Sequence, residues 1–202
     1  WRSMPHDLPP WQTVYDYFRL WRITGVWRQL NRKLRELLRQ RMKRHPQPSA
    51  AILDSQSVKT VEGGQERDFD ANKRCTGRKR HILVDSLGLL LSVYVSAASV
   101  TDPSAAKLLL ECFFNQFLLS FRLKRIWADA GYQGSLVLWV QQTLGWCLEI
   151  VKRPRQASGF VLLPKRWIVE RTFAWLTRHR RLSRDFEKLP ETSEAFIYLA
   201  MT

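Results

Sequence analysis

Acidic side chains are scarce in this chain of 202 residues, 18 Asp and Glu against 33 Lys and Arg, so an acid closing an apolar run asks for a reason. Two are so placed. Asp54 closes Ala51-Ile-Leu-Asp54, and Asp129 follows Leu123-Lys-Arg-Ile-Trp-Ala128, ahead of Ala130-Gly131-Tyr132, where the glycine permits a tight exit. A third acid, Glu170, lies in Arg166-Trp-Ile-Val-Glu-Arg-Thr-Phe-Ala-Trp175. Arg166, Phe173 and Ala174 are its neighbours at three and four positions, which sets it near the edge of an apolar helix face. Two strand-end carboxylates and one helical carboxylate can converge on a pair of hard cations, and an all-oxygen ligand set suits magnesium or manganese. Two such ions, roughly 3.5–4 Å apart, activate an attacking oxygen and stabilise the leaving one in a phosphodiester displacement. The surrounding Arg and Lys would hold the phosphates. A plainer reading stands beside this one: Asp54 and Asp129 cap loops, and Glu170 pairs with Arg166 or Arg171. Asp85 and Asp102 are rival acids, but both sit in segments that read as turns, Asp85-Ser-Leu-Gly88 and Thr101-Asp-Pro103.

Other chemistries find little support. The four histidines form no metal-binding pair at helical spacing, and His81, after Gly77-Arg-Lys-Arg80, reads as structural or close to phosphate. No Ser/His/Asp order or Gly-rich phosphate loop is present, and Gly63-Gly64 is isolated. Cys75, Cys112 and Cys147 are odd in number and far apart, which excludes a disulfide framework and a zinc knuckle and points to a reducing cytosol. No apolar run of about 20 residues offers a membrane span, and no signal peptide opens the chain. The net charge of +15 implies a polyanionic partner, since a phosphate backbone relieves the self-repulsion. Residues 1–45 hold 11 basic and 3 acidic side chains, and residues 151–188 hold 11 and 3 again, which suggests two DNA-contacting surfaces. A ribosomal-type or merely soluble basic protein is the bland alternative.

The elements that must position these acids follow from periodicity. Residues 10–45 read as two helices separated by Gly25, the first carrying Trp11, Val14, Tyr15, Phe18 and Trp21 on one side. The second has Val26, Trp27, Leu30, Leu34, Leu37 and Leu38 on one face and Arg28, Arg32, Lys33, Arg35 and Arg39 on the other. It is either part of a DNA-binding helical unit or a basic helix packed on the core with its charged face in solvent. His45-Pro-Gln-Pro-Ser49 disfavours helix, and residues 46–50 read as a linker. A short strand ending at Asp54 comes next, then a polar loop over 62–78. His81–Asp85 and Leu89–Val95 make a hairpin around Ser86-Leu-Gly88. A helix over Ser104–Phe117, a strand over Leu123–Ala128, a helix over Leu136–Leu144, a strand over Trp146–Val151 and a long helix over Pro164–Arg181 complete the order. Trp1 and the last segment, Ala195–Thr202, read as structure cut short. A hairpin-led sheet covered by helices is an α/β layer architecture, here over 51–202, preceded by a small helical region over 1–45.

Four segments together resemble bacterial insertion-sequence transposases of the DDE type, most closely the insertion-sequence-five group. They are Leu53-Asp-Ser-Gln-Ser-Val-Lys59, Gly77-Arg-Lys-Arg-His81, Ala128-Asp-Ala-Gly-Tyr-Gln-Gly134 and Arg166–Leu176. The resemblance implies an RNase H-like mixed sheet covered by helices, with a metal-binding triad at Asp54, Asp129 and Glu170 and two magnesium or manganese ions. It also implies DNA contacts from Lys59, Arg78, Lys79, Arg80, His81, Arg166, Arg171 and Arg178. The family's signature around the Glu is Tyr, two residues, Arg, three residues, Glu, six residues, Lys. Arg166 and Glu170 fit it, Leu163 stands for the tyrosine, and Thr177 stands for the lysine with Arg178 beside it. Arg166 suits a phosphate because a guanidinium can bind one bidentately. The activity implied is metal-dependent cleavage at element ends and strand transfer into target DNA. The partners implied are duplex DNA and a second copy in a homodimer or larger assembly, at the bacterial nucleoid. A transposase-derived DNA-binding protein that no longer cuts, or a structure-selective nuclease of the same fold, would share most of these residues.

Overall fold

The computed structural model describes residues 1–61, 63–116, 122–152 and 165–202. Two helices lead, α1 (Trp11–Ile23) and α2 (Val26–Arg41), and the turn between them is made by Gly25 at φ 75°, in the left-handed region that glycine enters freely. The strands are β1 (Ala50–Lys59), β2 (Asp68–Asp70), β3 (Cys75–Asp85), β4 (Leu90–Ala97), β5 (Arg125–Ala128) and β6 (Cys147–Ile150). Helix α3 (Asp102–Asn115) follows β4. Helix α4 (Ser135–Trp139), continued by a wider turn over Val140–Leu144, links β5 to β6, and α5 (Arg166–Arg178) and α6 (Pro190–Ala200) close the described chain.

The sheet runs β2-β3-β1-β5-β6, with β4 also paired to β3. The β1–β3, β3–β4 and β2–β3 pairs are antiparallel, whereas β5 lies parallel to β1 and β6 parallel to β5. This is an RNase H-like mixed sheet: a hairpin-led antiparallel half, then two strands that each return through a helical crossover. The expected hairpin forms at Asp85–Leu89, with Gly88 at φ 84°.

Side-chain alternation divides the core into two layers. Ala51, Leu53, Leu83, Ile126, Ala128 and Leu148 face α3 and α4, where Leu109, Phe113 and Val140 complete one cluster. Ile52, Ile82, Val84, Val95 and Trp127 face the other way and meet Ile168, Val169, Phe173 and Leu176 of α5 and Ile197 and Tyr198 of α6.

Several expectations are corrected here. Asp54 does not end its strand. β1 continues to Lys59 because Ser55–Lys59 pair with Gly77–His81 of β3, a polar ladder that hydrophobic patterning does not reveal. The stretch read as a polar loop over 62–78 holds β2 and the start of β3. The last residues, with no helix expected of them, belong to α6. Phe117 and Pro164, given to the ends of helices, and Leu163 lie outside the described residues.

The larger correction concerns α2. Its polar face is the one turned inward: Asn31 donates to Met201 O (2.8 Å) and Arg35 to Leu90 O (2.6 Å), while Arg39 binds His45 O (2.8 Å) and ion-pairs with buried Asp85. Burial lowers the Arg35 pKa to about 10, with Asp85 and Glu36 opposing that shift. Leu30, Leu34, Leu37 and Leu38 are exposed instead. Phe18 of α1 stacks on Phe196 of α6 at 4.8 Å. Residues 1–45 are thus seated on β4 and α6, and β1 begins at Ala50, the last residue of the expected linker.

Candidate active site

The sheet brings the two aspartates together by register. Ile52 of β1 pairs with Trp127 of β5 in parallel, so Asp54 and Asp129, each two residues further on, lie at one level of adjacent strands. Alternation turns both toward the face covered by α5, because Ile52 and Trp127 belong to that layer. Helix α5 buries Ile168, Val169, Thr172, Phe173 and Leu176, which leaves Arg166 and Glu170, one turn apart, on the edge above the aspartates.

One atom shows how closely the four groups meet. Arg166 Nη2 lies 3.3 Å from Asp54 Oδ2, 3.8 Å from Asp129 Oδ2 and 3.8 Å from Glu170 Oε1. Exposure rises across the site, from 13% of the Asp54 side chain to 34% for Asp129 and 54% for Glu170. Asp54 Oδ1 accepts from Ser55 N (2.8 Å). Asp129 Oδ1 accepts from Gly131 N (2.8 Å) in the tight exit that follows it. Burial raises the Asp54 pKa to about 6 against the pull of the Ser55 N–H and Arg166, and the nearby Asp129 charge raises it further. Three carboxylates around one cation fit hard divalent metals by ligand chemistry. As the side chains stand, however, no group of three or more His, Cys, Asp or Glu among the described residues is gathered closely enough to hold a metal ion. The two observations agree once Arg166 is counted, since its guanidinium already lies among the acids.

Two residues that the sequence reading passed over position this centre. Lys165, at φ 72°, places its Nζ 3.9 Å from the centre of the Trp127 ring, tying the start of α5 to the strand that ends beside Asp129. Trp127 is held in turn by Nε1 donating to Glu149 Oε2 (3.0 Å). Trp127, two residues before Asp129 on the same strand face, was the signal of this in the sequence.

The remaining DNA-contact candidates divide by burial. Lys59 and Arg178 are exposed and Arg166 is at the triad. Arg78 and Arg80 are fully buried and are removed from the phosphate-binding set. Arg78 donates to Gln65 O, Glu187 O and Lys188 O and pairs with Asp185 (3.3 Å), and Arg80 donates to Leu182 O and Arg184 O. Lys79 is buried too, on Val100 O and the carboxylates of Asp70 and Asp102. His81 lies in the core against Ser96 Oγ (3.0 Å), its pKa lowered to about 4 by burial, so it is a neutral packing residue. Arg171 is stacked between the rings of Trp167 and Trp175 and donates to Leu87 O, which fastens α5 to the hairpin turn. The rival acids also have structural partners: Asp85 holds Arg39, and Asp102 accepts from Ser55 Oγ (2.9 Å) and pairs with Lys79.

Comparison with known proteins gives the family. The family described as "Transposase DDE domain" matches residues 45–202, and "Putative transposase of IS4/5 family" matches residues 1–31. A Burkholderia cepacia protein named "Putative transposase for insertion sequence element IS402" is 33% identical over 127 residues, covering 61% of this chain, and the chain spans 60% of that protein's length. Among solved structures, the catalytic core domain of BIV integrase aligns at 12% identity and TM-score 0.42, over 75% of this chain and 82% of its own. The Mos1 transposase paired-end complex with the left transposon end aligns at 13% identity and TM-score 0.32, over 60% of this chain and 40% of its own. With its model matched across most of the sequence, the family is settled: the chain belongs to the transposase DDE domain family.

Proposed function

We propose that this chain carries the catalytic centre of a DNA transposase, which cuts duplex DNA at element ends and joins the freed 3′-hydroxyl to target DNA. The observation that carries the reading is the convergence of Asp54, Asp129 and Glu170, each with an oxygen within 3.8 Å of one nitrogen. Two magnesium or manganese ions bound by these carboxylates would supply activation of the attacking oxygen and charge stabilisation of the leaving one. The chain's own residues do the rest. Asp54 and Asp129 are held at one level of the sheet by the β1–β5 register, and one oxygen of each is oriented by the N–H group of Ser55 or Gly131. Glu170 comes from a helix anchored by Lys165 on Trp127. Arg166 offers its fork to a backbone phosphate, with Lys59 and Arg178 as exposed cations for the flanking duplex. A dimer or larger assembly would bring two element ends together.

The test is incubation of the protein with labelled element ends, a target duplex and magnesium. Nicked ends and strand-transfer joints are expected, and cleavage without joints would instead make the protein a nuclease. Glu170→Gln keeps the size of the side chain and loses its charge, so cutting should fall by orders of magnitude while DNA binding persists. Near-normal cutting by that variant would remove Glu170 from the centre.

A further inference from the structure

Arg166 stands among the three acids. Its Nη2 nitrogen is the shared neighbour of Asp54, Asp129 and Glu170, yet only the Asp54 contact, at 3.3 Å, is a hydrogen bond; the other two are 3.8 Å apart. One guanidinium therefore balances three carboxylates through one weak bond and two looser attractions. Among the described residues, Lys165 is engaged on the Trp127 ring and Arg171 between Trp167 and Trp175. A divalent ion and a guanidinium cannot share this space, because like charges a few ångströms apart in a half-buried site repel strongly.

We infer that Arg166 is a displaceable counter-ion: it occupies the triad in the DNA-free protein, and it leaves for a DNA phosphate when metal enters. The inference rests on the carboxylate triad being the metal site, as proposed above. Arg166 has both the reach and the motive for the exchange. It stands at the first residue of α5 on a long side chain, and a phosphate offers the planar fork two parallel charge-assisted bonds in place of one poor one. Metal and DNA binding become coupled, each strengthening the other by the same factor. Residence of the metals, and with it cutting, is thereby restricted to protein that already holds DNA.

The experiment counts Mn2+ bound to the DNA-free protein by electron paramagnetic resonance, with folding of each variant checked by thermal melting. Arg166→Gln removes the competing charge and should bind Mn2+ about tenfold or more tightly than wild type. Arg166→Lys keeps a positive charge and should stay close to wild type. A short duplex should raise the Mn2+ affinity of wild type and change that of Arg166→Gln far less. Equal or weaker Mn2+ binding by Arg166→Gln would overturn the inference. So would equal gains from DNA in both proteins, a comparison that Arg166→Ala, which also removes the charge, can replace if the glutamine variant fails to fold. Asp54→Asn separates the metal site from the counter-ion role. If Asp54→Asn leaves Mn2+ binding intact, the triad itself is not the metal site. If it abolishes binding while wild type and Arg166→Gln bind alike, only the counter-ion role falls.

Discussion

Each acid of the centre is prepared by a different local device. Asp54 is held in a strand interior and pays for its burial with a raised pKa, Asp129 is held by the N–H of a tight turn, and Glu170 stands in solvent on a helix edge. A second carboxyl with a raised pKa lies outside the centre. Glu194 of α6 accepts from Val95 N (2.9 Å), and burial lifts its pKa from 4.5 to about 7, opposed by Val95 and Arg28 and reinforced by Glu191 and Glu66. A folded protein that holds a proton more tightly than the unfolded chain gains stability below the unfolded pKa. That contribution is lost as pH rises through the folded pKa. For Glu194 the window runs from about 4.5 to about 7. Glu194→Gln keeps an acceptor for Val95 and removes the titration, so the melting temperature of the variant relative to wild type should rise between about pH 4 and pH 8. A difference that stays constant over that range would show that Glu194 does not titrate there. Asp54 shifts in the same direction and is unchanged in the variant, so the comparison isolates Glu194.

At the level of elements, the basic segment of β3 is a structural clamp. Alternation sends Arg78 and Arg80 toward the face that carries Ile82 and Val84, where they collect carbonyls from residues 182–188 and from Gln65. The same clamp explains Gly77. A β-carbon there would stand 1.9 Å from Val58 O, which only a bare backbone avoids at the end of the β1–β3 ladder. Asp185 and Glu187 lie in a basic stretch, with Arg180, Arg181, Arg184 and Lys188 around them. In the fold Asp185 is buried against Arg78 and accepts from Glu187 N, and Glu187 receives Arg181 at 2.7 Å. Asp185→Asn therefore leaves the Arg78 charge buried with only carbonyl partners. The expected loss is about 3–5 kcal/mol of unfolding free energy in a denaturant titration, the cost of breaking a buried pair by removing one member. A loss below about 1 kcal/mol would mean that the carbonyls alone satisfy Arg78.

For the whole molecule, the net charge of +15 overstates what DNA can meet. Arg35, Arg39, Arg78 and Arg80 are buried on carbonyls and carboxylates, so on the proposed function a DNA contact surface would be drawn from the exposed remainder, Lys59 and Arg178 among them. Duplex affinity should still fall steeply with salt, because each neutralised phosphate releases counter-ions, and 6–10 phosphate contacts cost roughly 10³–10⁵ in affinity between 50 and 200 mM. Removing a side chain that neutralises a phosphate should make the slope of log K against log salt shallower by about one. That change is expected in Lys59→Ala and in Arg178→Ala, and an unchanged slope in Arg35→Met. A flat salt dependence in wild type would sever the link between charge and DNA. No helix among the described residues is long and apolar enough to cross a membrane.

What the sequence determined by itself was mostly what depends on local period, although it left the helix α6 unread. Ala51-Ile-Leu-Asp54 and Ile126-Trp-Ala-Asp129 already say that each acid sits two residues past an apolar one on the same strand face. The spacing of Arg166 and Glu170 says that they share a helix edge. Pairing those strands in parallel, with Ile52 beside Trp127, was left to the fold and brings the two aspartates together, and the packing of α5 on that face adds Glu170. The fates of the arginines were likewise out of reach. A guanidinium reads as a surface group until acceptors arrive, and those acceptors come from carbonyls about a hundred residues away, at 182–188 for β3, or from Asp85 and Leu90 for α2. The helical spacing of α2 was right and its orientation was not. An amphipathic pattern fixes which residues share a face, whereas the polar acceptors at the hairpin end of the sheet decided which face turned in.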